Sequence, residues 1–384
     1  MTDVILNGKS YQLRELGQAR GKIPWTLLTP YETRVLQFCR RWLGGQESFS
    51  INSSGSTGRP KTITLSRSQM QASARLTARA LSLQAGDKAL VCLSVQYIAG
   101  MMMLVRGFEL GLRLTVINPS SNPLAKFAAE TRFDFASFVP LQLQRILSDS
   151  PRKLAILNHM KAILVGGAPV SLSLQRQLQQ VSAPIYHTYG MTETSTHIAL
   201  RRLNGSRASN AFTPLEGVTV GIDRRGCLTV QSAVTEGETL HTNDLVALNP
   251  DGSFVWLGRI DHVINSGGIK VQIEKVEAAV EHLFDHYEDG ALARRRFFVG
   301  PVDHHQLGQA VVLVVEGEPF SSGTEANIRA ALLKALSKYE VPSRFYFLPR
   351  LVETPTGKID RIHNLEKLGS SYPSVSNHSS SFSE

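Results

Sequence analysis

The chain holds 384 residues, with 41 Lys and Arg against 32 Asp and Glu, a formal charge of +9, and 42% of its residues are apolar. That composition is typical of folded globular chains and excludes a collagenous, disulfide-stapled or wholly disordered one. At roughly 150 residues per domain, the length fits two or three domains with separate cores and excludes a single small module.

In chain order, Val4–Leu6 predicts a short strand and Pro30–Leu43 an amphipathic helix with Val35, Leu36, Phe38, Cys39 and Leu43 as apolar positions. Phe49–Ile51 and Thr62–Leu65 read as strands on either side of a Gly/Ser-rich loop. Ser66 with Gln69 three residues later is a capping-box start for a helix to about Leu83. The uncharged run Ala89–Val105 falls short of the ~18 to 20 residues a bilayer requires and contains Ser94, Gln96, Tyr97 and Gly100. It predicts a buried strand, Ala89–Ser94, and a buried helix, Tyr97–Leu110, not a membrane span. Further strands at Thr115–Asn118, Phe135–Val139 and Ala162–Val165 alternate with helical stretches, which predicts a layered α/β architecture on a largely parallel sheet. Short strands between polar turns from Val218 to Leu257 predict an antiparallel subdomain.

Around Arg259–Asp261 the pattern changes to a strand, a helix (Glu274–Leu283), two strands (Arg296–Gly300 and Ala310–Val315) and a helix (Thr324–Leu336). The expected organisation is therefore a large α/β domain over residues 1–260, a smaller α+β domain over 261–369 and a Ser-rich disordered tail over 370–384. Cys39, Cys92 and Cys227 form no CxxC pair, which argues against a disulfide framework or structural zinc and suits a reducing compartment. With Asp3 and Lys9 in its first ten residues the start does not read as a signal peptide, and a cytoplasmic location is expected. The basic residues are dispersed, without a zinc finger, basic zipper or RNP-like motif, so small anionic ligands are expected rather than nucleic acid.

Five segments carry chemistry. Ser53-Ser54-Gly55-Ser56-Thr57-Gly58-Arg59-Pro60-Lys61 offers backbone N–H groups, hydroxyls and a cation to a polyphosphate. Its glycine spacing and the strand after it differ from a Walker loop, and a flexible linker is the alternative. In Tyr186-His187-Thr188-Tyr189-Gly190-Met191-Thr192-Glu193, Tyr189 beside Gly190 can stack on a purine, Thr192 can donate to a phosphate and Glu193 can ligate Mg²⁺; a polar strand-to-turn junction is the plainer alternative. Counted with this second segment, Gly166-Gly167-Ala168-Pro169 follows a strand at the end of the sheet where nucleotides bind. A hairpin closing at residues 250–252 sets Asp244 opposite Gly258 or Arg259, a carboxylate and guanidinium suited to ribose hydroxyls or else a surface ion pair. Asn265-Ser266-Gly267-Gly268 forms a glycine-hinged loop ahead of a helix, and Thr354-Pro355-Thr356-Gly357-Lys358 puts a lysine on a rigid turn.

In this order the five segments resemble the adenylate-forming superfamily of acyl-CoA ligases, carrier-protein adenylation domains and luciferases, from about Phe49 to Lys367. The resemblance implies an ATP-dependent acid–thiol ligase with ATP, Mg²⁺ and CoA as cofactors and co-substrates, and a mobile C-terminal domain. It makes Ser53, Ser54, Gly55, Ser56, Thr57, Gly58 and Lys61 the phosphate loop, and Gly167, Ala168, Pro169, Tyr189, Gly190 and Met191 the adenine site. Thr192 would touch the α-phosphate, Glu193 the metal, and Asp244 with Arg259 the ribose; Asp261 would be the hinge, Gly267 and Gly268 the CoA channel, and Lys358 the catalytic lysine.

Two departures follow from the same resemblance. Such ligases carry well over a hundred residues before the phosphate loop, so most of the N-terminal subdomain is expected to be absent and a homo-oligomeric partner is a possible cover for the exposed sheet. The usual Phe-His-x-x-Gly segment is replaced by Val95–Gly100. With Arg106 on the following helix and His197 after the Thr-Glu motif, the chain is most similar to compact CoA ligases for an aromatic dicarboxylic acid. Arg106 would bind the carboxylate that does not react, its alternative being a helix-surface arginine paired with Glu109 or solvent; His197 is a substrate contact or a satisfied polar residue. Another acyl-CoA or carrier-protein ligase is the alternative activity.

Overall fold

The computed structural model describes residues 3–12, 16, 23, 25–53, 61–287, 290, 292–293, 295–354 and 358–371. The chain divides into two compact units, Met1–Leu257 and Gly258–Glu384. In the larger unit the elements run β1 (Asp3–Leu6), β2 (Lys9–Gln12), α1 (Pro30–Leu43), β3 (Ser48–Ser53), β4 (Lys61–Ser66), α2 (Arg67–Leu81), β5 (Lys88–Val91), α3 (Ile98–Leu110) and β6 (Arg113–Val116). They continue with β7 (Phe135–Phe138), α4 (Pro140–Asp149), α5 (Leu154–Asn158), β8 (Ala162–Val165), α6 (Leu172–Gln177), β9 (Ile185–Gly190), β10 (His197–Arg202) and β11 (Thr213–Pro214). The antiparallel strands expected after Val218 are β12 (Thr219–Ile222), β13 (Cys227–Gln231), β14 (Leu240–Leu248) and β15 (Phe254–Arg259), whose last two residues belong to the smaller unit.

The main sheet has the order β11-β10-β9-β8-β7-β5-β6-β1-β2, parallel from β9 through β1 and antiparallel at both ends. Side chains along a strand alternate between faces, and here each face feeds its own core. Ala89 and Val91 join one cluster with Ala162 and Leu164, while Leu90 and Cys92 join the other with Ile163 and Val165. Strands buried on both faces read as continuous apolar runs, which is how the sequence displays them. The helix α3 is buried through Met101, Met102, Met103, Leu104 and Val105, the centre of the uncharged run. Among the described residues no helix is long and apolar enough to cross a membrane.

Local chemistry sets the element boundaries. Thr29 and Ser66 each cap a helix by accepting from the N3 backbone N–H, while the N3 side chains Glu32 and Gln69 return the bond. Gly111, at φ +68°, ends α3 in the left-handed conformation that a residue with a Cβ resists.

The smaller unit contains β16 (Val263–Ser266), β17 (Ile269–Gln272), α7 (Ile273–Asp285), β18 (Phe297–His304), β19 (Gly308–Glu316), α8 (Ser322–Ala335), β20 (Arg344–Leu348) and α9 (Arg361–Ser371). Its sheet runs β17-β16-β19-β18, with β20 parallel to β19. Val311, Leu313 and Val315 pack with Val276, Val280, Ile328 and Leu332, whereas Val312 and Val314 pack with Leu368 on the opposite face. The segment expected as a glycine-hinged loop ahead of a helix is instead a tight hairpin. Ser266 pairs with Ile269, and Gly267 and Gly268 sit at φ +60° and +82°, the geometry of a two-residue turn that fits strand twist.

Candidate active site

The phosphate-loop segment joins an antiparallel ribbon. The strands β3 and β4 are in register from Ser48 opposite Ser66 to Ser53 opposite Lys61, so the backbone at both ends of the loop is paired. Ser54, Gly55, Ser56, Thr57 and Gly58 lie outside the described residues.

Gly166–Pro169 follows β8, and Tyr189 ends the neighbouring parallel strand β9; Val165 pairs with His187. Both segments therefore lie at the carboxyl edge of the sheet. Gly167 takes φ +84°. At Gly166 any Cβ would lie 2.3 Å from the Thr188 hydroxyl, which donates to the Val165 carbonyl at 3.2 Å. His187 accepts from Arg201 Nη2 at 3.1 Å through Nδ1, and its ring also hydrogen-bonds the Ala168 backbone. Burial first and the Arg201 cation second push its pKa down to about 4.

That shift has a sign. Between pH 6.5 and 4 the unfolded chain binds a proton at His187 that the folded chain refuses, so stability present above pH 6.5 is lost on acidification, by about 3 kcal/mol once both states are protonated. His197, whose pKa lies well below the ordinary value, acts in the same direction. Urea unfolding at a series of pH values is expected to show a flatter acid limb for His187→Asn than for the parent.

Tyr189 is 9% exposed, packs edge-on against Phe254 at 5.1 Å and donates its hydroxyl to Asp244 Oδ2 at 2.6 Å. Trp256 Nε1 donates to the other carboxylate oxygen at 3.1 Å. Two of the sequence-derived residues, Tyr189 and Asp244, are thus in direct contact, with Trp256 as an unforeseen third.

Met191 leads into a 3₁₀ turn, Thr192–Thr194, in which Glu193 is exposed and Thr192 half-buried. At Gly190 a Cβ would lie 2.1 Å from the Thr196 carbonyl, so only glycine lets β9 end against this turn. Among the described residues no group of three or more His, Cys, Asp or Glu could hold a metal. A lone exposed carboxylate suits Mg²⁺ that arrives with substrate phosphates, since this ion keeps water and phosphate among its ligands.

Arg106 is 2% exposed and has no carboxylate partner among the described residues. The alternative of a surface pair with Glu109 is not what the structure holds, for Glu109 accepts from Gln71. Arg106 instead donates through Nε to Thr77 Oγ1 at 3.1 Å and through Nη2 to Thr196 Oγ1 at 2.9 Å; Nη1 meets the thioether of Met103 at 3.8 Å. Burial lowers the guanidinium pKa to about 9. Thr77 sends its own proton to the Ser73 carbonyl, at 3.0 Å, so its 3.2 Å contact with His197 Nε2 is filled by an imidazole N–H. His197 is therefore the neutral Nε2–H tautomer, its pKa depressed by burial first and by Arg106 second. The structure brings Arg106 and His197 into one network with Ser73, Thr77 and Thr196. Sequence reasoning missed these three hydroxyls because none stands out from an ordinary helix or strand, although Ser73 and Thr77 share a helix face at i, i+4.

In the smaller unit Arg259 and Asp261 form a two-pronged pair, Nε to Oδ1 at 2.8 Å and Nη2 to Oδ2 at 2.7 Å. Lys358 is anchored by its backbone: its N–H donates to Thr354 Oγ1 at 3.2 Å and its carbonyl accepts from the Thr354 N–H at 2.8 Å. Though the side chain reaches solvent, surrounding atoms first and the Arg259 cation second lower the ammonium pKa. Pro355, Thr356 and Gly357 lie outside the described residues.

The AMP-binding enzyme model matches residues 48–238. An acyl-CoA synthetase (AMP-forming)/AMP-acid ligase II-like protein from Dyadobacter fermentans is 42% identical, over 92% of this chain and 97% of that one, with a TM-score of 0.59. The 2-succinylbenzoate–CoA ligase of Bacillus cereus is 27% identical over 82% of this chain and 70% of its own length. The o-succinylbenzoate coenzyme A synthetase of Bacillus subtilis, solved with ATP and magnesium, is similar in fold, with a TM-score of 0.65 at 23% identity over 81% of this chain and 68% of that one. On the strength of a 42% identical relative matched nearly end to end, together with the family's model, the chain belongs to the AMP-binding enzyme family and is an AMP-forming acid–CoA ligase.

Proposed function

We propose that this ligase converts 2-succinylbenzoate, an aromatic keto-dicarboxylic acid of menaquinone synthesis, to its CoA thioester by way of an acyl-adenylate. The observation that carries the substrate is Arg106, a guanidinium in the core of the larger unit with only hydroxyl and thioether partners among the described residues. Burying a cation without an anion is costly, and a substrate that retains one carboxylate while the other reacts would supply the missing charge. The curated relatives named for this acid support the same choice.

In this reading residues Ser53–Lys61 hold the ATP phosphates, Gly167–Pro169 and Tyr189–Met191 the adenine, and Asp244 with Arg259 the ribose. Thr192 donates to the α-phosphate, where an incoming carboxylate meets an already anionic centre. Lys358 neutralises the charge that develops there. Glu193 would hold Mg²⁺, which when bound supplies further neutralisation at the phosphates. The thiol of CoA then attacks the activated carbonyl along the Gly267–Gly268 hairpin, and Asp261 serves as the hinge between the two half-reactions.

A pyrophosphate-release screen over carboxylic acids, with and without CoA, tests the substrate. The expected result is turnover with 2-succinylbenzoate and at least about tenfold lower kcat/KM with benzoic or fatty acids, which lack the second carboxylate. Turnover with a monocarboxylic acid and none with 2-succinylbenzoate would remove the substrate and leave the general ligase standing.

A further inference from the structure

The network around Arg106 leaves one proton without an acceptor, and counting lone pairs locates it. Thr196 Oγ1 lies 2.9 Å from Arg106 Nη2, which can only donate, and 2.7 Å from Ser73 Oγ. Ser73 is 0% exposed, and among the described residues Thr196 is the only partner of its hydroxyl. A proton left unpaired on Ser73 would therefore be buried, whereas Thr196 is half-buried and can turn its proton outward. The favourable arrangement has Ser73 donating to Thr196. Both lone pairs of Thr196 are then filled, by Ser73 and by Arg106, and its own O–H points to whatever occupies the site.

The backbone around Thr196 is held in a costly shape. Ser195 sits at φ +60°, ψ −55°, and the Thr196 N–H donates to the Thr194 carbonyl at 2.6 Å, a γ-turn of the rare strained hand. Thr194 Oγ1 donates to the Thr196 carbonyl at 2.7 Å. Strain of this kind persists where the surroundings over-determine it, and it gathers at ligand sites.

We infer that Thr196 is a specificity-determining residue whose hydroxyl donates to the non-reacting carboxylate of the acid, with Arg106 acting through it as a positioning residue rather than as a direct ion-pair partner. This rests on the reading that the second carboxylate of the acid balances the buried charge of Arg106. The Arg106 N–H withdraws electron density from Thr196 Oγ1 and makes its proton a better donor, while the guanidinium itself stays behind the hydroxyl.

The test compares Thr196→Val, Thr196→Ser and Arg106→Lys in steady-state kinetics, with 2-succinylbenzoate and with its analogue in which the non-reacting carboxyl is a methyl ester. Thr196→Val is expected to raise KM for the diacid at least about tenfold, the value of a hydrogen bond to a charged group, while kcat and KM for ATP stay at the parent level. Thr196→Ser is expected to restore KM, and with the ester, whose carbonyl accepts only a weaker neutral hydrogen bond, the gap between the Val variant and the parent should shrink below that seen with the diacid. Should Thr196→Val fail to fold, Thr196→Ala removes the same hydroxyl with less bulk. If KM for the diacid rises in Arg106→Lys and stays unchanged in Thr196→Val, the guanidinium meets the acid directly and this inference falls alone. If neither variant moves it, the acid-binding reading falls and takes the inference with it.

Discussion

Replacing Lys358 with alanine is expected to slow adenylate formation by about 10²- to 10³-fold while leaving thioester formation from supplied acyl-adenylate essentially unchanged. In the first half-reaction a carboxylate attacks a phosphorus already surrounded by anionic oxygens, so a preorganised cation is worth far more in the transition state than in the ground state. In the second, a thiol attacks a neutral carbonyl and adenylate departs, and no ammonium is required. The lysine's backbone is fixed to Thr354 on both sides of its turn, and Arg259 lowers its pKa behind the effect of the surrounding atoms. ATP–pyrophosphate exchange reads the first step, and thioester absorbance with synthetic acyl-adenylate reads the second. Equal losses in both would assign Lys358 to folding or to nucleotide binding in general.

The elements that were legible from sequence are those whose signal is local. Pro30–Leu43 carries its Pro at the first turn and its apolar stripe within one segment, and its predicted bounds coincide with those of α1. The capping box at Ser66 and Gln69 is present in both directions. The run Ala162–Val165 is a strand buried on both faces, as an uninterrupted apolar run before Gly-Gly implies. Other features depend on distant chain. The loop expected at Gly267–Gly268 is a hairpin because Val263–Ser266 pairs with Ile269–Gln272, which composition alone does not reveal. The strand β20 exists because β19 offers it an edge.

Within the candidate site, Tyr189 and Asp244 were each visible by type, but their shared hydrogen bond spans 55 residues of sequence and needs the fold to be seen. Arg106 was visible as a cation after an unusual segment. That it lacks a carboxylate among the described residues, and is held by Thr77 and Thr196, follows from packing α2, α3 and the start of β10 together. The neutral tautomer of His197 is a consequence of the same packing, since Thr77 has one proton and has already given it away.

Gly190→Ala should destabilise the protein by about 3 kcal/mol, far more than the same change at Gly237. The two glycines are required for different physical reasons. At Gly237 the backbone has φ +82° with nothing within 4 Å, so an added methyl meets only conformational strain, about 1 kcal/mol. At Gly190 the backbone is ordinary for any residue, but the added Cβ would stand 2.1 Å from the Thr196 carbonyl oxygen, 2.6 Å from His197 Cα and 2.7 Å from the Thr196 carbonyl carbon. All three are main-chain atoms, so relief requires the end of β9 to part from the turn before β10. The displaced turn carries Thr196 away from Arg106, and misplacing a binding group by about 1 Å can cost on the order of a hundredfold in rate. Gly190→Ala should therefore lose stability and acid recognition together, whereas Gly237→Ala should lose a little stability and keep its KM. Urea midpoints and KM for 2-succinylbenzoate, measured on both variants, decide the matter. A Gly190→Ala protein as stable as Gly237→Ala would show that the turn yields freely, and a turn that yields freely cannot hold the Thr196 hydroxyl against the acid.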